Sequence, residues 1–266
     1  MSRGLVLRLA GLIQSWGETA AFPYRDSAAF PTRSALIGMF AAAQGRAREH
    51  ALAPYEDLPG VPSHHDLAFT IRIDRPGTAY RDFHTAGGGR SHGEGLRTAA
   101  GGYRAKEKST MVTYRDYLAD AVFTLAVEGP PALLEHIAHS LAHPRYSPYL
   151  GRRACLPDEP LIIHADIPDP VNALRTAVPL SLARPPGAGV DHVPITFIRE
   201  RPLNPGDLPT GESPSQPQDF TAHARAHLLR PLWRTTENVP AALYAGPRPI
   251  DALTDYILKD TRCPRP

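Results

Sequence analysis

Two segments of the chain combine arginine with aromatic residues and could bind a phosphate backbone together with bases. Residues 72–115 contain nine basic and four acidic residues, a net charge of +5. Residues 145–153 contain three arginines and no acid. Arginine forms planar, bidentate contacts with phosphate, and aromatic rings accept splayed bases. These segments fit a surface for RNA and fit the plainer interpretation, solvated loops, equally well.

The overall charge gives little information about partners. The net charge of the 266 residues is only +2, although 26 of the 29 Lys and Arg residues are Arg. The codon usage of a GC-rich genome accounts for most of this excess. A functional interpretation therefore depends on where the arginines cluster.

Other kinds of chemistry find weaker support. His136, His139 and His143 share one helix face, but no HExxH arrangement accompanies them. Gly87–Gly89 lack the Lys and Ser/Thr of a phosphate-binding loop. Ser213 and Ser215 lack a nucleophile elbow. We expect no metal and no cofactor.

A metal-free ribonuclease remains an alternative. Such an enzyme needs a general base, a general acid and a cation near the scissile phosphate. His84, Tyr103, Lys106 and Lys108 lie in the basic segment and could supply them. We favour the plainer interpretation, in which these groups contact phosphates or solvent.

The elements that must position these residues follow a simple order. Apolar patterns predict strands at 4–11, 67–74, 121–127 and 161–167, and helices after Thr32 and over 131–143. The order β-α-β, a Gly-rich basic excursion, then β-α-β matches a ferredoxin-like α+β domain. Further on, residues 193–203 predict a strand, 204–220 a flexible Pro-rich loop, and 219–233 a short helix or the approach to a strand. An amphipathic turn pattern follows at 249–260.

Several motifs together resemble a known family. LRLAGLIQSWG (7–17), FPTRSALIGMFAAAQG (30–45), RDFHT (81–85), YRDYLADAVFTLAV (114–127) and PRYSPYLGRRACL (144–156) occur in this order. They resemble the CasD family of the type I-E CRISPR surveillance complex Cascade, within the RAMP superfamily. The likeness covers residues 4–165 and continues weakly to 235. The Pro-rich insert 204–218 and the tail after 236 depart from it.

The resemblance implies both a fold and a role. The fold is a modified ferredoxin-like (RRM-like) RAMP domain over 1–165, with a long β-hairpin thumb inserted at about 82–113. A small β-rich C-terminal subdomain (166–235) and a tail (236–266) follow. The implied partners are the 5′ handle of the CRISPR RNA, the Cascade backbone subunit, the large subunit and, indirectly, target DNA. CasD proteins are not the nuclease of type I-E systems, so we expect no catalysis. The alternative is an endoribonuclease of the type I-C kind.

Twelve residues are the predicted RNA contacts. Some match family motifs, and the others lie in the basic segment. They are Gln14, Trp16, Arg33, Ser34, Arg81, His84, Arg104, Lys106, Lys108, Tyr149, Arg152 and Arg153. A helix N-terminus at Arg33 and Ser34 would also favour an anion.

The remaining features predict the environment of the protein. Cys155 and Cys263 provide no disulfide framework and no CxxC pair. Arg8 interrupts the short apolar run near the N-terminus, which is too short for a signal peptide or a membrane span. We therefore expect a cytoplasmic protein with no membrane partner.

Overall fold

The computed structural model of the protein describes residues 3–18, 20–21, 23–87, 96–98, 101–105, 110–221 and 226–260. The first half of the chain forms β1 (Arg3–Ala10), β2 (Ile13–Gln14), β3 (Ala20–Ala21), β4 (Tyr24–Arg25), α1 (Arg33–Ala43), β5 (Ala68–Arg75), β6 (Thr78–Gly87), β7 (Thr110–Ala119) and β8 (Val122–Glu128). The second half forms α2 (Pro131–Ala142), β9 (Ile162–Pro168), α3 (Pro170–Thr176), β10 (His192–Arg199), β11 (Gly211–Asp219), β12 (Ala226–Pro240) and α4 (Pro249–Asp260).

A seven-stranded antiparallel sheet organises this mixed α/β fold. Its strand order is β11-β12-β10-β5-β8-β1-β9. The central strands β1, β5 and β8 are buried on both faces, as expected for strands covered on both sides. Leu125 of β8 lies between Leu7 of β1 and Ile71 of β5, which fixes the register. The four strands predicted in the first 167 residues are confirmed.

The two predicted helices cover one face of this sheet. α1 buries Leu36, Ile37 and Phe40, and α2 buries Leu133 and Ile137. These side chains share a core with Leu5, Leu7 and Leu9 of β1. Pro131 begins α2, where its missing N–H costs no hydrogen bond.

The opposite face of the sheet has its own, smaller core. Val6, Ala126 and Phe197 pack there against α3 and α4, which contribute Leu174 and Leu253. The amphipathic pattern predicted at 249–260 is thus confirmed as α4. α3 was not predicted from the sequence.

A buried arginine ties α3 to this second face. Arg72 forms an ion pair with Asp74, with 2.6 Å between its Nε and the carboxylate oxygen. It also donates to the carbonyls of Val178 and Pro179, each at 2.8 Å. Arg72 lies in the segment counted as basic, but its charge is compensated inside the protein.

A second, smaller sheet contains the two ends of the basic excursion that the structure describes, in β6 and β7. β6 and β7 form an antiparallel hairpin from the Thr78–Ala119 pair to the Gly87–Thr110 pair. On its other edge β7 pairs with β2 and β4, and β4 pairs with β3. The segment before α1 therefore supports the base of the hairpin.

The Pro-rich segment differs from its prediction as a flexible loop. Gly211–Asp219 is β11, and it pairs with the first half of the long strand β12. Ser213, Ser215 and Pro217 alternate inward and are buried, so small polar residues take the place of the usual β-branched ones. Of the two possibilities for 219–233, the strand is correct from Ala226 onward.

The C-terminal half is continuous with the first sheet. β10 pairs with β5, and β12 pairs with β10 from Trp233 to Pro240. Among the described residues, no helix is long and apolar enough to cross a membrane.

Candidate nucleic-acid interface

The β6–β7 hairpin has two faces with different chemistry. Side chains alternate along a strand, so register assigns each residue to a face. We call one side the arginine face: it carries Tyr80, Asp82 and His84 of β6, Arg115 and Tyr117 of β7, and Arg25 of β4. We call the other side the aromatic face: it carries Arg81 and Phe83 of β6, Tyr114 and Asp116 of β7, and Tyr24 of β4.

The arginine face has an excess of positive charge. Arg25 is exposed and lies beside Arg115 in the parallel β4–β7 pairing. Asp82 is directly opposite Arg115 and is the only acid on this face of the described strands. The Nε atom of Arg115 is buried without a hydrogen-bond partner among the described residues. The exposed Arg25, beside Arg115, can therefore donate hydrogen bonds to phosphate oxygens on this face.

The aromatic face is electrically balanced. Arg81 forms a bidentate ion pair with Asp116, at 2.6 and 2.9 Å. The hydrogen bond from Arg81 lowers the pKa of Asp116, which keeps that carboxylate ionised at neutral pH. The ring of Tyr24 stacks on Tyr114 with centroids 5.0 Å apart, and Phe83 meets the Tyr114 ring edge-on at 5.7 Å.

Arg152 locks the base of the hairpin to its neighbours. Its guanidinium donates to the carbonyls of Asp116, Arg25 and Asp26 at 3.2, 2.9 and 3.2 Å. It also lies over the ring of Tyr117, 4.8 Å from its centroid. The predicted RNA contact Arg152 thus uses its donors on main-chain carbonyls, which supports a structural role.

Gly151 explains how Arg152 reaches this position. Its φ of +87° lies in the left-handed region that favours glycine. A Cβ at this position would overlap the carbonyl oxygen of Ser15. The close approach allows the 149–153 loop to lie directly on the segment after β2.

Arg153 and Tyr149 flank this locked residue and differ from it. Arg153 is exposed, and its guanidinium has no ion pair or hydrogen bond with another described residue. Tyr149 is half-buried. Of the two adjacent arginines, Arg153 is therefore the one available to a ligand.

Gln14 and Trp16 are internal, although both are predicted RNA contacts. The Gln14 amide donates to the carbonyls of Ala121 and Leu9 and accepts from the Trp16 indole N–H at 3.1 Å. Both side chains are at most 1% exposed. The structure supports packing roles for them, because no surface of either residue is open to RNA.

Arg33 is also inside the protein, whereas Ser34 is partly exposed. The Arg33 side chain is 1% exposed and forms an ion pair with Glu200 at 2.7 Å. It further donates to the carbonyls of Leu67, His64 and His65 at 2.9–3.1 Å. These contacts hold α1 against β5 and β10, and they leave no guanidinium surface for a phosphate.

The predicted contacts in the basic segment are spread over several positions. Arg81 is exposed within its ion pair, and His84 lies 3.9 Å from Asp82 on the arginine face. Arg104 is half-buried, and its main-chain N–H donates to the carbonyl of Leu96 at 3.0 Å. Lys106 and Lys108 lie outside the described residues.

Tyr24 and Arg25 belong to this surface but were not among the predicted site residues. They lie in a short strand of two residues, which no periodic pattern marks. One sequence feature could have identified them: an aromatic residue followed by an arginine. Tyr114 and Arg115 on the neighbouring strand have the same order.

The histidines of α2 and the residue after it bear on the possibility of a metal site. In the described part of the chain, no group of three or more His, Cys, Asp or Glu side chains is placed to share a metal ion. His139 and His143 have ring centroids 5.0 Å apart, whereas His136 packs against Tyr55.

The fold and this surface define a class of protein: a mixed α/β protein with an arginine- and aromatic-rich hairpin at the end of an antiparallel sheet. A family model described as CRISPR-associated protein (Cas_Cas5) matches residues 4–201. The chain therefore belongs to the Cas5 family of CRISPR-associated proteins.

Three similar proteins accompany this match. The chain is 33% identical over 188 residues to the CRISPR system Cascade subunit CasD of Escherichia coli (strain K12), covering 66% of this chain and 77% of CasD. A chain of a solved CRISPR RNA-guided surveillance complex is 41% identical, with a TM-score of 0.84 and coverage of 96% of this chain and 99% of that one. A crystal structure of a Cas protein is 24% identical with a TM-score of 0.56, covers 91% of this chain and 97% of its own, and shows the fold alone.

Proposed function

We propose that the chain is a non-catalytic subunit of a type I-E Cascade surveillance complex that holds the 5′ handle of the CRISPR RNA. In this role it caps the backbone beside the large subunit. The likeness to a chain of a CRISPR RNA-guided surveillance complex over nearly its whole length supports the assignment to such a complex. The 33% identity to CasD of E. coli supports the handle-binding position.

The arginine face is the main support for the proposal that the chain binds RNA. Arg25 and Arg115 lie side by side on neighbouring strands, and Arg153 follows the residue that locks them in place. Guanidinium groups held on a rigid support lose little conformational entropy when they bind phosphate. The hairpin stem is such a support, because β7 is paired on both edges.

We further infer that residues 1–165 form a ferredoxin-like RAMP domain whose thumb is the β6–β7 hairpin. The order β9-β1-β8-β5 with α1 and α2 on one face supports this, because it is the order of the split β-α-β arrangement. The segment 166–235 and the tail are proposed as accessory to it. Their strands β10 and β12 extend the same sheet.

RNA binding by the purified chain tests the proposal. The probe is the 5′ part of the transcribed repeat of its own CRISPR array. Replacing Arg25 and Arg153 with Ala removes two phosphate contacts, so we expect weaker binding. The slope of log K against log salt should fall by about 0.7 for each lost contact to a single strand. Arg184→Ala is the matched control, because Arg184 is exposed on the segment between α3 and β10.

The same RNA tests whether the chain is an enzyme. We expect the repeat transcript to remain intact during incubation without metal ions. Cleavage at one position would support the endoribonuclease alternative, and loss of cleavage in His84→Ala would assign that residue. Unchanged affinity and salt slope in the double arginine variant would contradict the proposed phosphate contacts of Arg25 and Arg153.

A further inference from the structure

Phe83 is an apolar ring exposed where the fold does not need it. Its side chain lies on the aromatic face of the hairpin, and the residue is 60% exposed. Tyr24, the next exposed ring on this face, is 55% exposed. The hydroxyl of an exposed tyrosine forms hydrogen bonds with water. An exposed phenylalanine has no polar group, so its apolar ring stays in contact with solvent without any such bond. Single exposed apolar residues are common, whereas a grouped set indicates a binding surface.

The rings of this group are held in fixed positions. Tyr24 and Tyr114 are nearly parallel, with 13° between their planes, and Phe83 stands at 67° to Tyr114. Tyr114 and Phe83 are a cross-strand pair, and Tyr24 is fixed by the β4–β7 pairing. A preformed arrangement of rings costs little side-chain entropy when a planar ligand stacks on it.

The charge of this face selects the kind of ligand. Arg81 and Asp116 neutralise each other beside the rings, so the aromatic face does not attract phosphate as the arginine face does. Every nucleobase has a flat face that can stack on an aromatic ring, and stacking needs no net charge. The Asp116 carboxylate can in addition accept a hydrogen bond from a base amino group.

The edge of the hairpin connects its two faces. Among the described strands β6 pairs only with β7, so its outer edge is open. A single strand of RNA can pass over this edge and present phosphates to one face and a base to the other.

We propose that the aromatic face binds one unpaired nucleobase of the RNA whose phosphates contact the arginine face, with the base stacked on Phe83. This rests on the proposed function, since it requires that the chain binds the RNA handle. It adds a base-binding position to the phosphate contacts.

Phe83→Ala and an abasic substitution in the RNA form a double-mutant cycle that tests this. The 5′ repeat RNA is prepared with a single abasic nucleotide at each position in turn. We expect Phe83→Ala to weaken binding of intact RNA by about tenfold, the effect of losing one stacked base. At one position, the abasic RNA should bind wild type and Phe83→Ala with equal affinity, because the base that stacks on Phe83 is missing. The salt slope of Phe83→Ala with intact RNA should equal that of wild type.

Two further variants separate stacking from other roles of the ring. Phe83→Leu keeps an apolar side chain without a π face, and it should lose affinity nearly as Phe83→Ala does. Phe83→Tyr should bind as wild type does. Leu229→Ala is the matched control, because Leu229 is an exposed apolar residue on β12, 63% exposed, and it should bind RNA normally.

The outcomes distinguish the two proposals. If wild type binds no repeat RNA, the proposed function fails. If wild type binds the repeat RNA and Phe83→Ala binds the intact RNA and every abasic RNA with the same affinity as wild type, only the base-stacking proposal is overturned. Normal RNA affinity with defective assembly of the complex would also overturn it and assign the aromatic face to a protein partner. Circular dichroism of each variant confirms that the hairpin remains folded.

Discussion

Replacing Arg33 with Met separates a structural role from an RNA contact. The Arg33 guanidinium is inside the protein and joins Glu200 to the carbonyls of Leu67, His64 and His65. Methionine has a similar length but no charge and no donor. The variant therefore removes the hydrogen bonds that residue 33 donates to these four partners, while it keeps most of the packing of the side chain.

The expected cost follows from what remains around Glu200. Its side chain is 6% exposed and, among the described residues, keeps Arg230, at 3.1 Å, and the main-chain N–H of Phe69, at 3.0 Å, as partners. Removing one partner of a buried ion pair typically costs about 3–5 kcal/mol, because the other charge stays buried. We expect the free energy of unfolding of Arg33→Met at pH 7 to fall by about this amount.

The pH dependence gives a second measure of the same effect. Burial raises the pKa of Glu200, although Arg33 and Arg230 both act to lower it. Removing Arg33 leaves burial less opposed, so the carboxyl takes up a proton at higher pH in the folded variant. A carboxyl whose pKa is higher in the folded state gains stability as the pH falls. The cost of Arg33→Met should therefore be smaller at pH 5 than at pH 7.

Urea unfolding at pH 7 and pH 5 measures both effects. Arg33→Met combined with Glu200→Gln removes the buried charge as well, and it should be more stable than Arg33→Met alone. Arg153→Ala, at an exposed arginine, should unfold as wild type does at both pH values. If Arg33→Met costs less than about 1 kcal/mol and also lowers the salt slope of RNA binding, Arg33 contacts RNA and the structural argument is refuted.

Three other residues give independent predictions. Gly151→Ala should lower the unfolding free energy by roughly 2–4 kcal/mol, since a Cβ there meets the Ser15 carbonyl at a positive φ; a thermal melt tests this. Arg152→Ala should cost about 1–3 kcal/mol through its lost carbonyl contacts, and hydrogen exchange should increase at the hairpin base. Burial lowers the pKa of His64 to about 4 from 6.5, so protonation of this residue should cost wild type about 3 kcal/mol as the pH falls from 6.5 to 4. His64→Gln, which does not titrate, should lose correspondingly less; equal losses would contradict the assignment.

The sequence predicted the central elements well because their apolar patterns are local. Leu36, Ile37 and Phe40 mark α1, and Leu133 and Ile137 mark α2, without reference to the rest of the chain. The Pro-rich strand β11 was missed for the opposite reason. Its buried positions are Ser213, Ser215 and Pro217, which become strand residues only because β12 and α1 surround them.

The candidate site was only partly predictable. Family motifs marked Arg33 and Arg152, but burial and partners decide what a guanidinium does. Glu200 is 167 residues from Arg33 in the chain, and Arg25 is 127 residues from Arg152. No local pattern reveals such partners. Arg153, next to Arg152, shows that adjacent residues of one type can serve different purposes.

The way the hairpin is anchored has a mechanical consequence. β2, β4 and Arg152 all hold β7 near its base, and these contacts stiffen the stem where it leaves the sheet. A force applied to the outer end of the stem is then transmitted to the strands beneath α1 and α2. The distance between the sheet and a partner bound to the stem is therefore fixed, and the hairpin can act as a rigid spacer between that partner and the core.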